Sequence, residues 1–306
     1  MTVINQAGDG LYSQLISLAR AVAKYGPIAK EDLLAMCALP TTDEGADPVI
    51  TRLRMTLTRW TQLGLFVDDD SGIGLTFDTD RAEPSDEFSD RLPAMCRSHV
   101  LKAENCTPIW APSNEKTEDG AGRSADFVRG IAWSLMQDIY TLPGATEEIE
   151  ALETAQIESP RFVFMNKTRW PGFRGWGRFL GFATGNDSTF LLDPTEAVRA
   201  ELSAILEPKQ AVAADEFVNA LAKRLPVIDR GQYRRQVEDV LRANVLRRLP
   251  DDHLSMSLSL ALRRLSLDGT IALENKADAG VSLALTGRGY RTWDRFTHVR
   301  LVGDAQ

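Results

Sequence analysis

A chain of 306 residues with 43% hydrophobic and 25% charged side chains is long enough for two or three folded units and too apolar to be disordered throughout. Its net charge of -8 makes it a poor non-specific binder of nucleic acid, because phosphate contacts supply most of that affinity. No apolar run approaches the ~18–20 residues of a membrane span, and no secretory signal opens the sequence. Three cysteines without a CxxC pair (Cys37, Cys96, Cys106) argue against a disulfide framework or zinc ribbon and read as packing residues, so the expected location is the cytoplasm, with no membrane partner.

The first 84 residues read as three helices and a hairpin. Leu11, Leu15, Leu18 and Val22 recur at helical spacing until Tyr25-Gly26-Pro27 stops them, and Ile28 is placed for a short strand pairing. Lys30 to Cys37 is a second helix with Glu31 and Asp32 in its first turn, and a loop follows from Pro40 to Asp47. Pro48 opens a third helix whose apolar stripe is Ile50, Leu53, Leu57 and Trp60 and whose end is Leu63-Gly64. Leu65-Phe66-Val67 and Ile73 to Phe77 flank the turn Asp68 to Gly72. Three helices followed by a hairpin are the pattern of a winged helix-turn-helix, with Arg52, Thr56 and Arg59 as candidates for DNA contact on the third helix. The three aspartates at the hairpin tip read as a solvated turn that would repel a DNA backbone.

Residues 85–208 are expected to form a middle α+β domain. Glu83 to Glu87 reads as a linker and Ser113 to Ser124 as an exposed loop, with an apolar-poor segment between them. Phe127 to Tyr140 and Glu147 to Ile157 read as helices, and Arg161–Phe164, Trp176–Ala183 and Thr189–Leu192 as strands before a helical Thr195 to Leu206. Helices followed by a small sheet fit a third unit of the same kind.

From Arg161 to Phe182 five basic residues alternate with seven aromatics and no acid intervenes. Basic residues interleaved with aromatics suit phosphate contact plus base stacking, worth ~1–3 kcal/mol per stacked base. The exposed candidates are Lys167, Arg169, Trp170 and Arg174. The competing reading has the aromatics filling the core of a hairpin while the arginines pair with the acidic surface of the same domain.

Residues 209–306 repeat the helix–hairpin order and carry 16 basic against 12 acidic residues, which makes them the better-charged end for DNA. Asp215–Arg224, Tyr233–Arg248 and Leu254–Leu267 read as helices, the last capped by Asp251-Asp252. Thr270–Leu273 and Val281–Leu285 read as a hairpin, and Tyr290–His298 as a closing helix. Arg263 and Arg264 are the DNA-contact candidates on this second recognition helix.

The expected fold is therefore mainly α (α+β), with winged helix-turn-helix domains at both ends (1–84 and 209–306) around a helical middle domain with a small sheet. No Walker phosphate loop, HExxH or GxSxG is present, and His99, His253 and His298 are scattered, so no catalytic residue, metal, cofactor or small-molecule substrate is expected.

The runs Ile4-Asn-Gln-Ala-Gly-Asp-Gly, Ile28-Ala-Lys-Glu-Asp-Leu-Leu-Ala-Met-Cys-Ala-Leu-Pro40 and Thr56-Leu-Thr-Arg-Trp-Thr-Gln-Leu-Gly-Leu-Phe66 resemble the DpdG family. That family belongs to bacterial gene clusters that install 7-deazaguanine derivatives in DNA and restrict DNA lacking them. The resemblance implies a phage-defence role on the restriction side, beside helicase- or nuclease-type proteins, and carries over no catalytic residue. The function expected is a non-enzymatic, DNA-contacting adaptor with double-stranded DNA and defence proteins as partners. A protein–protein scaffold that never touches DNA and a winged-helix transcriptional regulator are the alternatives.

Overall fold

The computed structural model describes residues 3–4, 12–38, 48–111, 121–165, 167–277 and 280–302. The loop expected at 40–47 lies outside them, as does most of that expected at 113–124. Helices dominate and the sheets have two or three strands, as the composition and periodicity indicate. No helix among the described residues is long and apolar enough to cross a membrane.

At the N-terminal end, α1 (Tyr12–Tyr25), α2 (Lys30–Cys37) and α3 (Pro48–Gln62) precede the hairpin β1 (Phe66–Asp69) and β2 (Gly72–Leu75). Leu15, Leu18, Leu33, Leu34, Leu53, Leu57 and Trp60 are all buried, the stripes read from the sequence. Gly64 closes α3 in a left-handed conformation (φ +83°), and the Leu65 N–H returns to the Trp60 carbonyl at 2.8 Å. Ile28 pairs antiparallel with Ile73, so a third short segment joins the hairpin in the order Ile28, β2, β1. Gly72 sits where that pairing crosses: a Cβ there would stand 2.6 Å from the Ile28 oxygen.

The expected linker at Glu83–Glu87 is instead the start of α4 (Ser85–Leu101), which packs on α1. Phe88, Leu92, Cys96 and Val100 form its buried face at a four-residue spacing. After α5 (Ala103–Cys106), α6 (Ala125–Leu135) is buried along its whole length. Its Asp126 carboxylate accepts the Val3 and Ile4 N–H groups at 3.1 and 2.9 Å and so pins the buried Val3–Ile4 pair to the middle of the molecule.

Next come α7 (Thr146–Gln156), α8 (Arg169–Phe179), the two-residue strands β3 (Ala183–Thr184) and β4 (Leu191–Leu192), and α9 (Thr195–Arg199). Two expectations fail here. Arg161–Phe164 forms no strand, because the Val163 and Phe164 N–H groups are taken by the Glu153 carboxylate at 2.6 and 2.8 Å. The basic–aromatic hairpin does not exist either: most of Trp176–Ala183 is the end of helix α8 and the turn after it.

The C-terminal end contains β5 (Ala211–Ala213), α10 (Ala214–Arg224), α11 (Gln232–Glu238), α12 (Met256–Leu267), β6 (Ile271–Glu274), β7 (Leu283–Thr286), β8 (Thr292–Phe296) and β9 (His298–Leu301). The sheet order β5-β9-β6 repeats the N-terminal order of Ile28, β2, β1, with the segment that comes first in the chain paired to the last. The details differ from the expectation. The helix expected at Tyr233–Arg248 stops at Glu238, and α12 is capped by Ser255, whose hydroxyl accepts the Leu258 N–H, rather than by Asp251-Asp252. β6 pairs with β9, while β7 pairs with β8, which replaces the expected closing helix. Buried residues from Val3 to Leu301 form one hydrophobic cluster, with Trp60 and Trp176 meeting at 5.6 Å between its parts.

Candidate nucleic-acid interface

DNA contact is expected on two helices, α3 and α12, and their surroundings differ. On α3 the outward side carries Thr51, Arg52, Arg54, Thr58 and Gln62, all exposed, and the helix contains three arginines and no acid. Arg54 is tied to Glu31 of α2 at 3.1 Å, an exposed pair worth about 0–1 kcal/mol and easily exchanged for another anion. Short hydroxyls, an amide and guanidinium groups along one helix face are the donors that reach phosphates and base edges.

Of the expected α3 contacts, only Arg52 is exposed. Thr56 is buried and donates to Gln14 Oε1 at 3.3 Å, and Arg59 is only 4% exposed. Both expectations of surface exposure are therefore corrected. At about 100° per residue, Thr56 falls about 70° from the centre of the Leu53/Leu57/Trp60 stripe, close enough for α1 to cover it. The same wheel places Thr51, Thr58 and Gln62 opposite the stripe, but it also sets Arg59 about 130° from the centre, so the burial of Arg59 comes from tertiary packing and not from helix phase.

The hairpin beside α3 keeps its acidic tip in solvent. Asp69 accepts the Ser71 hydroxyl and N–H at 2.6 and 2.8 Å, which hold its carboxyl below the usual range. Asp68 lies 3.7 Å from Lys30. A negative tip of this kind does not rest on a phosphate backbone, so contact by this unit would fall to α3 rather than to the hairpin.

The other expected contacts are placed less favourably. α12 is covered along its first turns. Ser257 Oγ donates to the Leu135 oxygen of α6 at 2.8 Å, and the β7–β8 hairpin lies on its other side through the Thr286 N–H to Ser259 Oγ bond at 2.8 Å. Only its last turn emerges. There the Arg263 guanidinium stacks 4.6 Å from the Trp293 ring, and Arg264 is ion-paired to Asp193. Along the basic–aromatic segment, Lys167 is exposed, but Trp170 is fully buried, stacked on Phe173 at 5.3 Å and donating Nε1 to the Gly144 oxygen at 2.9 Å. Its expected exposure is corrected. Arg169 donates to the Val163 oxygen and Arg174 to the Asp187 oxygen, each at 2.9 Å, which is the competing reading of self-paired arginines.

No curated protein and no solved structure matches the chain. The resemblance read from the sequence rests mainly on the first 80 residues, the part that holds α3, and the match extends well past it. A family model described as DpdG-like covers residues 1–279, so the chain belongs to the DpdG-like family, and that membership points to involvement in the Dpd-type 7-deazaguanine modification system.

Proposed function

We propose that the protein is a non-enzymatic, DNA-contacting adaptor subunit of a restriction system linked to that modification, built of units 1–84, 85–208 and 209–306, with the first and third of winged-helix type. The observation that carries this reading is the outer face of α3, a basic helix with no acidic residue in a chain of net charge -8. Contact is confined to the N-terminal unit, because β7–β8 and α6 cover the start of α12. The remaining outer surfaces of units 85–208 and 209–306 are then left to protein partners of helicase or nuclease type.

A scaffold that never touches DNA is the second reading, favoured by the exposed aspartates of the hairpin tip. Fluorescence anisotropy on a labelled duplex across a salt series separates the two. The adaptor reading expects affinity that falls steeply with salt. Arg52→Glu with Arg54→Glu should weaken it by about 10–100-fold and lower the log–log salt slope by about 2. No binding at low salt, or binding unchanged in the double variant, leaves the scaffold as the account.

A further inference from the structure

The β7–β8 hairpin ends in a tip opposite in charge to the aspartate tip of β1–β2. Gly287 to Arg291 join its strands, closed by the Gly287 N–H to the Arg291 oxygen at 2.7 Å and the Tyr290 N–H to the Gly287 oxygen at 3.0 Å. Gly289 and Tyr290 both take left-handed backbone (φ +69° and +64°), which a tyrosine rarely adopts. The Trp293 ring lies on Gly287 so closely that a Cβ there would overlap it. These contacts fix the tip, with Tyr290 and Trp293 half-buried in it.

Two guanidinium groups lie on those rings, Arg247 at 4.2 Å from the Tyr290 centroid and Arg263 at 4.6 Å from that of Trp293. A guanidinium stacked by its face keeps its N–H edge for an anion. Arg288 and Arg291 stand exposed in the tip itself. Among the described residues, none of these four arginines has a carboxylate in ion-pair range, whereas Arg54, Arg178 and Arg300 meet theirs at 3.1, 3.0 and 2.6 Å. Residues 241–253 and 286–295 together hold six arginines, three aspartates and no lysine or glutamate. Of those aspartates, Asp252 is taken by His253 and Arg295, each at 2.8 Å, and Asp251 lies 3.8 Å from Arg248. Asp294 accepts the Arg295 N–H at 2.8 Å, so the patch keeps a positive balance.

The loop that brings Arg247 there spans residues 239–255, forms no helix or strand, and exceeds the ~12–15 residues usual for a plain connection. Its Val245, Leu246 and Leu249 are half-buried yet lie outside the central hydrophobic cluster. Arginine with tyrosine, tryptophan and aliphatic side chains, and no lysine, is the composition of protein interfaces; a surface built only for phosphates takes lysine as readily. We infer that this tip and loop dock an acidic segment of a protein partner, its carboxylates on the arginine edges and its apolar side chains on the leucines. The inference rests on the adaptor's protein-holding role and supplies the chemistry of the partner, while duplex contact stays with α3.

Fluorescence anisotropy of a short labelled peptide of Glu, Asp and Leu, titrated with the full chain at low salt, tests it beside the labelled duplex. A Kd of about 10–100 µM for the peptide is expected. Arg288→Glu with Arg291→Glu should weaken the peptide by about tenfold or more and leave both the melting temperature and the duplex affinity unchanged. Arg52→Glu with Arg54→Glu, which alters net charge equally, should leave the peptide unaffected. No peptide binding at about 1 mM overturns the inference, as does equal weakening by the α3 variant, the mark of a general response to charge. Duplex affinity lost in the tip variant overturns it in favour of a phosphate contact. Salt-sensitive self-association of the full chain that the tip variant abolishes overturns it in favour of the Asp68–Asp70 tip of a second copy. The duplex titration reads α3 and the peptide titration reads this tip, so the two readings fail or stand separately.

Discussion

Trp170→Ala is expected to destabilise the protein by about 3–5 kcal/mol, the usual cost of emptying a large aromatic site, and to lower Tm by roughly 5–10 °C. The indole is fully buried. It stacks on Phe173 and meets Phe164 edge-on at 5.2 Å and Phe190 at 5.6 Å. Phe164 in turn meets Trp133 of α6 at 5.7 Å, and Phe173 meets Phe127 at 5.8 Å, so removing Trp170 opens a cavity at the centre of the middle part. The orphaned Gly144 carbonyl adds to the cost. Trp170→Phe keeps the ring contacts and loses only the hydrogen bond and one ring's volume, so its cost should be about half or less. Thermal melts of both variants, with single-strand anisotropy alongside, decide between a core residue and a stacking platform. A stable Trp170→Ala protein that has lost affinity for a single strand would restore the base-stacking role.

That residue also shows where the sequence was legible and where it was not. The N-terminal helices follow uninterrupted 3.6-residue stripes, each closed by a glycine or proline, and they appear where the periodicity puts them. In α8 the aromatics Trp170, Phe173 and Trp176 recur every three residues, a helical spacing, yet Pro171, Gly172, Gly175 and Gly177 in the same run suppress helix propensity and suggest strand and turn. Tertiary burial overrides that propensity, and the interleaved arginines go to carbonyl and carboxylate groups of the same part.

The opposite error occurs at Tyr290, Trp293 and Phe296, whose three-residue spacing imitates a helix. Pairing runs from Thr286↔Thr292 to Leu285↔Asp294, so Trp293 is an extra residue in the ladder, and this bulge shifts the phase of a real strand. In α4 the stripe Phe88, Leu92, Cys96, Val100 was readable, but Pro93 inside it reads as a break. The candidate site follows the same rule. On α3 helix phase puts Thr51, Thr58 and Gln62 outward, whereas the burial of Arg59 and the cover on α12, from a hairpin folded back from beyond β6, are tertiary effects that local pattern does not encode.

The pH dependence of stability should carry a large contribution from Glu153, the carboxylate that holds the Val163–Phe164 segment under Trp170. Burial pushes its carboxyl up to about 7, outweighing the downward pull of the Phe164 and Val163 N–H groups and of Arg129 and Arg169. In the unfolded chain the same group titrates near the ordinary glutamate value of about 4.3. Between these values the native state keeps a proton that the unfolded state releases, so stability is fully present at low pH and is lost as pH rises towards 7. A shift of this size corresponds to about 3 kcal/mol, and Glu153 is fully buried, so solvent screening removes little of it. Glu153→Gln cannot ionise. It presents one oxygen where two N–H groups need acceptors, so it should cost about 1–3 kcal/mol at low pH, where the wild-type carboxyl is neutral as well. Urea unfolding of both proteins through this range should therefore show the wild-type advantage shrinking as pH rises, and vanishing or reversing above about 7. Subtracting the two curves cancels every other titrating group. Parallel curves would mean that the charged form is held as well as the neutral one, with the two backbone donors winning over desolvation.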